Sequence, residues 1–159
     1  MMLTSFKLSS LDLTQNILLK ELDCSSDMSS SFPGQFPQIN GNEISSLDLS
    51  QNTLLETLNC SGNKLLNLDL SQNPNLTHLI CAGQYPWNSN IGLNNLNVSQ
   101  NLNLTYLKCN SNELISLDIS QNNQLSYLEC RANNLTNLDI SQNINLTFLD
   151  CNVNQLTSL

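Results

Sequence analysis

The sequence is poor in positive charge, glycine, proline and long apolar segments. Of 159 residues only 5 are Lys or Arg, against 13 Asp or Glu, which gives a formal net charge of -8. Such a chain lacks the basic patch with which nucleic-acid-binding proteins and peripheral membrane proteins meet phosphate groups. Its apolar runs reach only about five residues, whereas a membrane-spanning helix needs about 20. We therefore expect no nucleic-acid partner and no insertion into a membrane.

A short repeat organises the chain. Its 33 Leu and 27 Asn are a bias typical of repeat proteins rather than of ordinary globular domains. A phrase of the type Leu-Asp-Leu-Ser-Gln-Asn occurs six times, and each copy leads into a second phrase, Leu-x-x-Leu-x-Cys. The second phrase ends at Cys24, Cys60, Cys81, Cys109, Cys130 and Cys151. Spacings of 36, 21, 28, 21 and 21 residues between them define a 21-residue unit with two insertions, near residues 25–41 and 82–92.

The unit L-x-x-L-x-C-x-x-N-x-L-x-x-L-D-[LI]-S-x-N-x-x resembles the 21-residue bacterial leucine-rich repeats called IRREKO. The resemblance covers nearly the whole chain and departs from the pattern in the two insertions, at Asn97 where Asp is usual, and at both ends. It implies a single leucine-rich-repeat domain over residues 1–159, a solenoid of about seven partial or complete repeats. Short parallel strands would stack in one curved or flattened right-handed coil that is mostly β and loop with little helix.

The alternation of residues predicts which side chains point inward. In the second copy, Leu58 and Cys60 share one face of a strand, and Thr57 and Asn59 share the other face. We expect the Asn that ends each half of the repeat to satisfy backbone groups in the turns. We also expect a second row of strands through the Leu-Asp-Leu segments. Neither end of the chain resembles a capping repeat, so we expect a fragment of a longer solenoid or a subunit with possible end-to-end self-association.

The six Cys and the single His do not predict a disulfide, a metal site or a catalytic site. Every Cys occupies the same inward position, and stacked strands hold their Cβ atoms about 4.8 Å apart, farther than a disulfide prefers. No pair of Cys has the close spacing of a zinc site. His78 and Cys81 leave opposite faces of their strand, so they cannot act together as base and nucleophile. We expect buried free thiols, no metal, no cofactor and no enzymatic activity.

Two patterns of polar residues can each be interpreted in more than one way. The first is a row of outward carboxylates, which consists of Asp12, Asp48, Asp69, Asp118 and Asp139. These carboxylates are either solvated and hydrogen-bonded by neighbouring Ser and backbone groups, or bridged by Ca²⁺, and we favour the former. Glycosylation motifs of the form Asn-Leu-Thr begin at Asn75, Asn103 and Asn145. Because they recur at one repeat position, we interpret them as by-products of the repeat.

One outward face varies from repeat to repeat, and we predict that it recognises a ligand. Aromatic side chains align on consecutive strands, with charged side chains beside them. The two insertions would project from the same edge and add further aromatic residues. The candidate binding residues are His78, Tyr106, Lys108, Tyr127, Glu129, Arg131, Phe148 and Asp150, together with Tyr85, Trp87, Phe32 and Phe36 of the insertions.

These features predict a non-catalytic scaffold that binds a protein or peptide on the varied face and its inserted loops. Two alternatives remain open, a structural spacer within a larger surface protein and a carbohydrate-binding face. The family resemblance implies a secreted or surface-associated bacterial protein. The segment from Met1 to Lys7 nevertheless lacks the pattern of a signal peptide.

Overall fold

The computed structural model describes residues 7–26, 42–83 and 92–157. Within these ranges the chain forms six three-residue strands and no helix, and therefore no helix long and apolar enough to cross a membrane. The strands are β1 (Glu21–Asp23), β2 (Thr57–Asn59), β3 (His78–Ile80), β4 (Tyr106–Lys108), β5 (Tyr127–Glu129) and β6 (Phe148–Asp150). They pair in parallel in the order β1-β2-β3-β4-β5-β6, so each turn of the coil adds one strand to a single sheet.

The register places equivalent repeat positions side by side. Leu107 at the centre of β4 pairs with Leu79 of β3 and Leu128 of β5, and the flanking residues pair in the same way. The central Leu of β2 to β5 is fully buried, whereas the residues on either side of it face outward. The predicted stack of parallel strands and the predicted division between inner and outer faces are therefore confirmed.

The core is a file of Leu and Cys side chains. Five of the six Cys are buried and Cys151 in the last coil is half-buried, and all six are free thiols. Burial raises the pKa of Cys24 to about 11 and that of Cys130 to about 12, because the thiolate would lose its hydration. The Cys therefore act as small apolar core residues, as the sequence predicts.

Two ladders of buried Asn tie each coil to the one before it. Asn122 donates through Nδ2 to the carbonyl oxygens of Val98, at 3.0 Å, and Asn101, at 2.9 Å. Asn133 donates in the same way to Cys109 and Cys130, each at about 3 Å, and its Oδ1 accepts the amide of Leu114 at 3.1 Å. These side chains satisfy turn backbone groups that water cannot reach, which confirms their structural role.

The Leu-Asp-Leu segments do not form the second row of strands that we expected. In every copy the Asp, or Asn97 in its place, accepts the amide hydrogen of the residue two positions later, for example Ser120 N to Asp118 Oδ1 at 3.0 Å. This local bond turns the chain where a strand would have continued. The bond also lowers the pKa of Asp118, and the carboxylate row is thus hydrogen-bonded as we favoured. No three Asp, Glu, His or Cys of the described residues come together as a metal-binding group.

Candidate functional site

The varied outward face brings together eight of the predicted binding residues. The first positions of β3 to β6 carry the aromatic column, which we define as His78, Tyr106, Tyr127 and Phe148. The third positions of β4 to β6 carry Lys108, Glu129 and Asp150, and Arg131 follows the Cys after β5. Phe32, Phe36, Tyr85 and Trp87 lie outside the described residues, as do most of both insertions.

The rings of the aromatic column stack face to face. Ring centroids lie 5.6 Å apart between His78 and Tyr106, 4.3 Å between Tyr106 and Tyr127, and 4.3 Å between Tyr127 and Phe148. The angle between neighbouring planes falls from 21° to 14° to 6° along the column. The spacing follows from the parallel register, because each strand sets its first side chain directly beside the previous one.

Stacking decides which parts of the rings a ligand can reach. Both faces of Tyr106 and Tyr127 are covered by neighbouring rings, so these two residues offer ring edges and hydroxyl groups to a partner. The ring edge carries partial positive charge and favours the π face or an acceptor oxygen of a partner. Open ring faces remain at the ends of the column, on His78 and on Phe148, whose residue surface is 43% exposed.

A polar network fixes the side chains next to the column. Glu129 Oε2 accepts hydrogen bonds from Lys108 Nζ at 3.0 Å and from the Tyr127 hydroxyl at 3.1 Å. The bond to Glu129 is the main cause that raises the pKa of Lys108. Partial burial, followed by the bond to Glu129, raises the pKa of Tyr127. Lys108 therefore stays charged and Tyr127 stays neutral, and both are held in place before a partner arrives.

The hydrogen on the His78 ring is assigned by its neighbour. The Thr77 hydroxyl donates its only hydrogen to the carbonyl oxygen of Glu56 at 3.0 Å. The Thr77 oxygen also lies 3.0 Å from His78 Nδ1, so in that contact Nδ1 carries the hydrogen and the oxygen accepts it. In the neutral imidazole, Nε2 of this exposed residue is then an acceptor.

Comparison with known proteins identifies the architecture. No protein-family model and no curated protein matches the chain by sequence. Among solved structures, the functional domain of InlJ from Listeria monocytogenes, described as including a cysteine ladder, is 35% identical over 96% of this chain, with a TM-score of 0.63. The interior file of Cys described above fits the description of a cysteine ladder. The chain has the leucine-rich-repeat fold.

Two further structures support the same architecture. An internalin, InlF, from Listeria monocytogenes is 26% identical over 74% of the leucine-rich-repeat chain, with a TM-score of 0.65. A leucine-rich-repeat protein from Leptospira interrogans is 22% identical over 95% of the chain, with a TM-score of 0.74, and shows the fold alone. The chain spans about a third of these solved chains, 34% of InlJ, 34% of InlF and 36% of the Leptospira protein.

Sequence reasoning missed a groove of this leucine-rich-repeat protein that lies beside the aromatic column. The groove runs along the start of β3 and β4 and has a volume of about 450 Å³. It is lined by Glu56, Asn75, Thr77, Asn103, Thr105 and Gln124. Four of these residues belong to the Asn-Leu-Thr motifs that we interpreted as by-products of the repeat. Their recurrence at the strand entrance was the signal that would have revealed the groove.

Proposed function

We propose that this leucine-rich-repeat protein is a non-catalytic scaffold that binds a protein or peptide partner on its strand face. The observation that carries the proposal is the aromatic column, four stacked rings held in register, with the Tyr127 hydroxyl bonded to Glu129. Rigid aromatic side chains provide large contact area at a small entropy cost, which is the chemistry of binding hot spots. The known leucine-rich-repeat structures to which the chain is similar support a repeat scaffold as the basis of this role.

The arrangement of reactive groups supports a binding role over catalysis. His78 lies on the outer face, whereas Cys81, just after the same strand, is fully buried, so the His78 imidazole does not face that thiol. Burial also raises the pKa of the Cys81 thiol well above its ordinary value and so disfavours the nucleophilic thiolate. Glu129, the carboxylate at the centre of the face, is engaged by Lys108 and Tyr127. We therefore assign the face no catalytic residue.

Ring geometry favours a protein partner over a sugar. Sugars bind aromatic residues by laying their C–H groups on a ring face, and the faces of Tyr106 and Tyr127 are covered by their neighbours. A protein segment can instead use the ring edges, because backbone carbonyl oxygens and aromatic side chains both approach edges favourably. A spacer function is the second candidate, since similar proteins are longer and this chain spans only about a third of them.

A selection experiment separates these functions. We would immobilise the chain, select binders from a random-peptide display library, and compare the parent with a column variant, Tyr106→Thr/Tyr127→Thr/Phe148→Thr. Thr occupies the equivalent first position of β2 at Thr57, so the strand tolerates it. A matched control, Asp118→Asn/Asp139→Asn, changes the opposite face to the residue found at Asn97.

We expect selected peptides to bind the parent and the control and to lose at least about tenfold in affinity for the column variant, since hot-spot residues contribute more than 1 kcal/mol each. Peptides that bind all three proteins equally contradict the proposal and favour the spacer. A glycan array in which sugars bind the parent and not the column variant would instead establish the carbohydrate alternative.

We further propose a secreted or cell-surface location, in keeping with the family resemblance of the repeats. A partner that meets the chain there would find a molecule of net charge -8. Long-range attraction to this charge favours partners with basic surfaces and speeds their association. Fractionation of the source cells with an antibody against the chain tests the location, and a signal confined to the cytosol contradicts it.

A further inference from the structure

We propose that one end of the groove, at Glu56 and Thr77, is an arginine-binding subsite, where a guanidinium group of the protein partner stacks on the adjacent His78. This inference rests on the proposed function and names the chemistry of one part of that partner. It depends on three observations: the hydrogen-bonding character of the groove, the open face at the end of the aromatic column, and the carboxylate between them.

The groove presents acceptors because its hydroxyl hydrogens are used inside the molecule. Thr77 donates to the carbonyl oxygen of Glu56 at 3.0 Å, and Thr105 donates to that of Thr77 at 3.1 Å. A hydroxyl group has one hydrogen and two lone pairs, so both hydroxyls can only accept from a ligand. The backbone amides of these two residues also donate to the preceding coil, at 2.9 Å each.

Two carboxamides of the groove, those of Asn75 and Asn103, also present their oxygen atoms. Asn75 donates through Nδ2 to the carbonyl oxygen of Thr53 at 3.0 Å, and Asn103 donates to that of Pro74 at 3.1 Å. Each amide nitrogen is therefore anchored to the preceding coil, and the Oδ1 atoms remain as acceptors. These four side chains therefore offer acceptors to a ligand that is rich in N–H donors.

The aromatic column ends at His78, which contacts Thr77 of the groove, and one face of its ring lies outside the stack. His78 pairs in register with Thr57 of β2, whose short side chain cannot cover an imidazole ring. A planar group that lies over Thr57 would thus continue the stack as its next member, next to the face of His78 that points away from Tyr106. Guanidinium is planar, stacks on rings and carries five N–H donors, whereas an ammonium group does not stack in this way.

Glu56 supplies the charge that selects a cation. It precedes Thr57 in the chain and lines the groove, and its side chain is 47% exposed. Its Oε1 atom pairs with Lys20 at 2.7 Å, and Lys20 is itself 61% exposed, so solvent screens this ion pair and an incoming guanidinium can compete for the carboxylate. Glu21 lies beside Thr57 in the adjacent strand and adds a second carboxylate to this end of the face.

An NMR titration with a matched pair of small probes tests the subsite. N-acetyl-arginine N-methylamide is compared at about pH 8 with its citrulline analogue, which has the same shape without the charge. We expect the arginine probe to shift the amide signals of Thr57, Thr77 and His78 with an affinity of roughly 1 mM, and the citrulline probe to leave them unchanged.

Three variants sharpen the test. Thr57→Tyr fills the open position with a strand-compatible ring and should abolish the shifts. Glu56→Gln should weaken binding about threefold, the size of an exposed ion pair. Asp118→Asn removes the same charge from the opposite face and should have no effect.

Four results would overturn the subsite. The citrulline probe could bind as well as the arginine probe, or Thr57→Tyr could bind the arginine probe as the parent does. The parent could show no shifts, or the shifts could centre on Asp118. None of these results bears on Tyr106, Tyr127 and Phe148, so the proposed function stands or falls separately by the column variant. Conversely, peptides that bind regardless of the column variant would remove the proposed function even if the arginine probe binds.

Discussion

At the scale of single residues, one turn position shows how the repeat tolerates strain. The second residue after each of the last five Cys has a positive φ, at 70° in Gly62 and 49° in Gly83, but also at 57° in Ser111, 54° in Ala132 and 56° in Val153. Positive φ suits glycine, whereas a side chain there crowds the following carbonyl oxygen and costs about 1–2 kcal/mol. The later turns hold this conformation because the coils on which they stack impose it.

Replacing Val153 by glycine should therefore stabilise the protein. Val153 is 67% exposed, so Val153→Gly loses little packing and relieves a β-branched side chain at φ 56°. We expect the free energy of unfolding in urea to rise by about 1 kcal/mol. Val153→Ala should give a smaller rise, since it removes the branch and keeps Cβ. A loss of stability in Val153→Gly would show that the turn is not strained.

The reverse change at Gly62 should be destabilising. An added Cβ at this position would lie 2.8 Å from Ser26 Cβ and 3.0 Å from the carbonyl oxygen of Ser26, at a φ of 70°. Gly62→Ala should lower the free energy of unfolding by about 2 kcal/mol, from both the contact and the conformation. Urea unfolding followed by circular dichroism measures it, and a change below about 0.5 kcal/mol, as at an ordinary surface site, would contradict the expected clash.

At the scale of the repeating element, the Asn ladders stabilise the coil by joining each turn to the one before it. Asn122 is fully buried and supplies donors to the carbonyl oxygens of Val98 and Asn101. Asn122→Ala removes both of these bonds and leaves each oxygen with one backbone donor, Asn101 N for Val98 and Leu104 N for Asn101. At about 1 kcal/mol for each lost bond, the free energy of unfolding should fall by about 2 kcal/mol. Asn123→Ala, at the exposed neighbour, is the matched control and should change stability by less than about 0.5 kcal/mol. Equal losses of stability in the two variants would show that the Asn122 side chain does not stabilise the coil.

Much of each element follows from the sequence, because the repeat makes equivalent residues identical. The period of 21 predicted the strand at Tyr106–Lys108, its register with Tyr127–Glu129 and the inward Cys109, and the structure confirms all three. The period did not reveal that Asp118 captures the amide of Ser120, because alternation in Leu-Asp-Ile suits a strand as well as a turn.

The candidate site was predictable only in part. Alignment of the aromatic side chains follows from the register, but the covering of ring faces depends on side-chain rotamers that a sequence pattern does not specify. The hydrogen on His78 Nδ1 depends on where Thr77 donates, which is a property of three neighbouring groups in space. Binding by the aromatic column and end-to-end self-association both stay predictions.

At the scale of the whole molecule, the acidic residues make stability depend on pH. The amide of Ser120 holds the pKa of Asp118 below its ordinary value of 3.8, and the amide of Ser141 does the same for Asp139. Hydrogen bonds from Lys64 and Lys7 lower the pKa of Glu43 from 4.5 to about 2. Because the folded values are depressed, the stabilisation is complete above the ordinary values and is lost as pH falls through the folded ones.

Thermal unfolding should consequently show a constant midpoint above about pH 5 and a falling midpoint from about pH 4 to pH 2. Asp118→Asn/Asp139→Asn should make that fall shallower, since Asn97 Oδ1 already accepts the amide of Ser99 at 3.0 Å without a charge. A midpoint that rises on acidification would mean that relief of the net charge of -8 outweighs these hydrogen bonds.

The file of Cys extends through the whole molecule and should control its reaction with thiol reagents. Five thiols are buried, with the pKa of Cys24 raised to about 11 and that of Cys130 to about 12, and Cys151 alone is half-buried. At about pH 8 an aromatic disulfide reagent should modify Cys151 first and the other five only as the protein unfolds in urea. Cys151→Ser should remove the early reaction, and rapid modification of several thiols in the parent would contradict a closed core.

The hydrogen bonds between coils affect how the number of repeats can change in evolution. Many contacts join a residue to the one 21 positions earlier, as when the Thr147 hydroxyl donates to the carbonyl oxygen of Ser126. A gene segment that encodes one unit and is copied in frame thus brings its own partners for both neighbours. Lengthening the molecule then requires no compensating change elsewhere, and each added copy offers two outward positions on which selection can act independently.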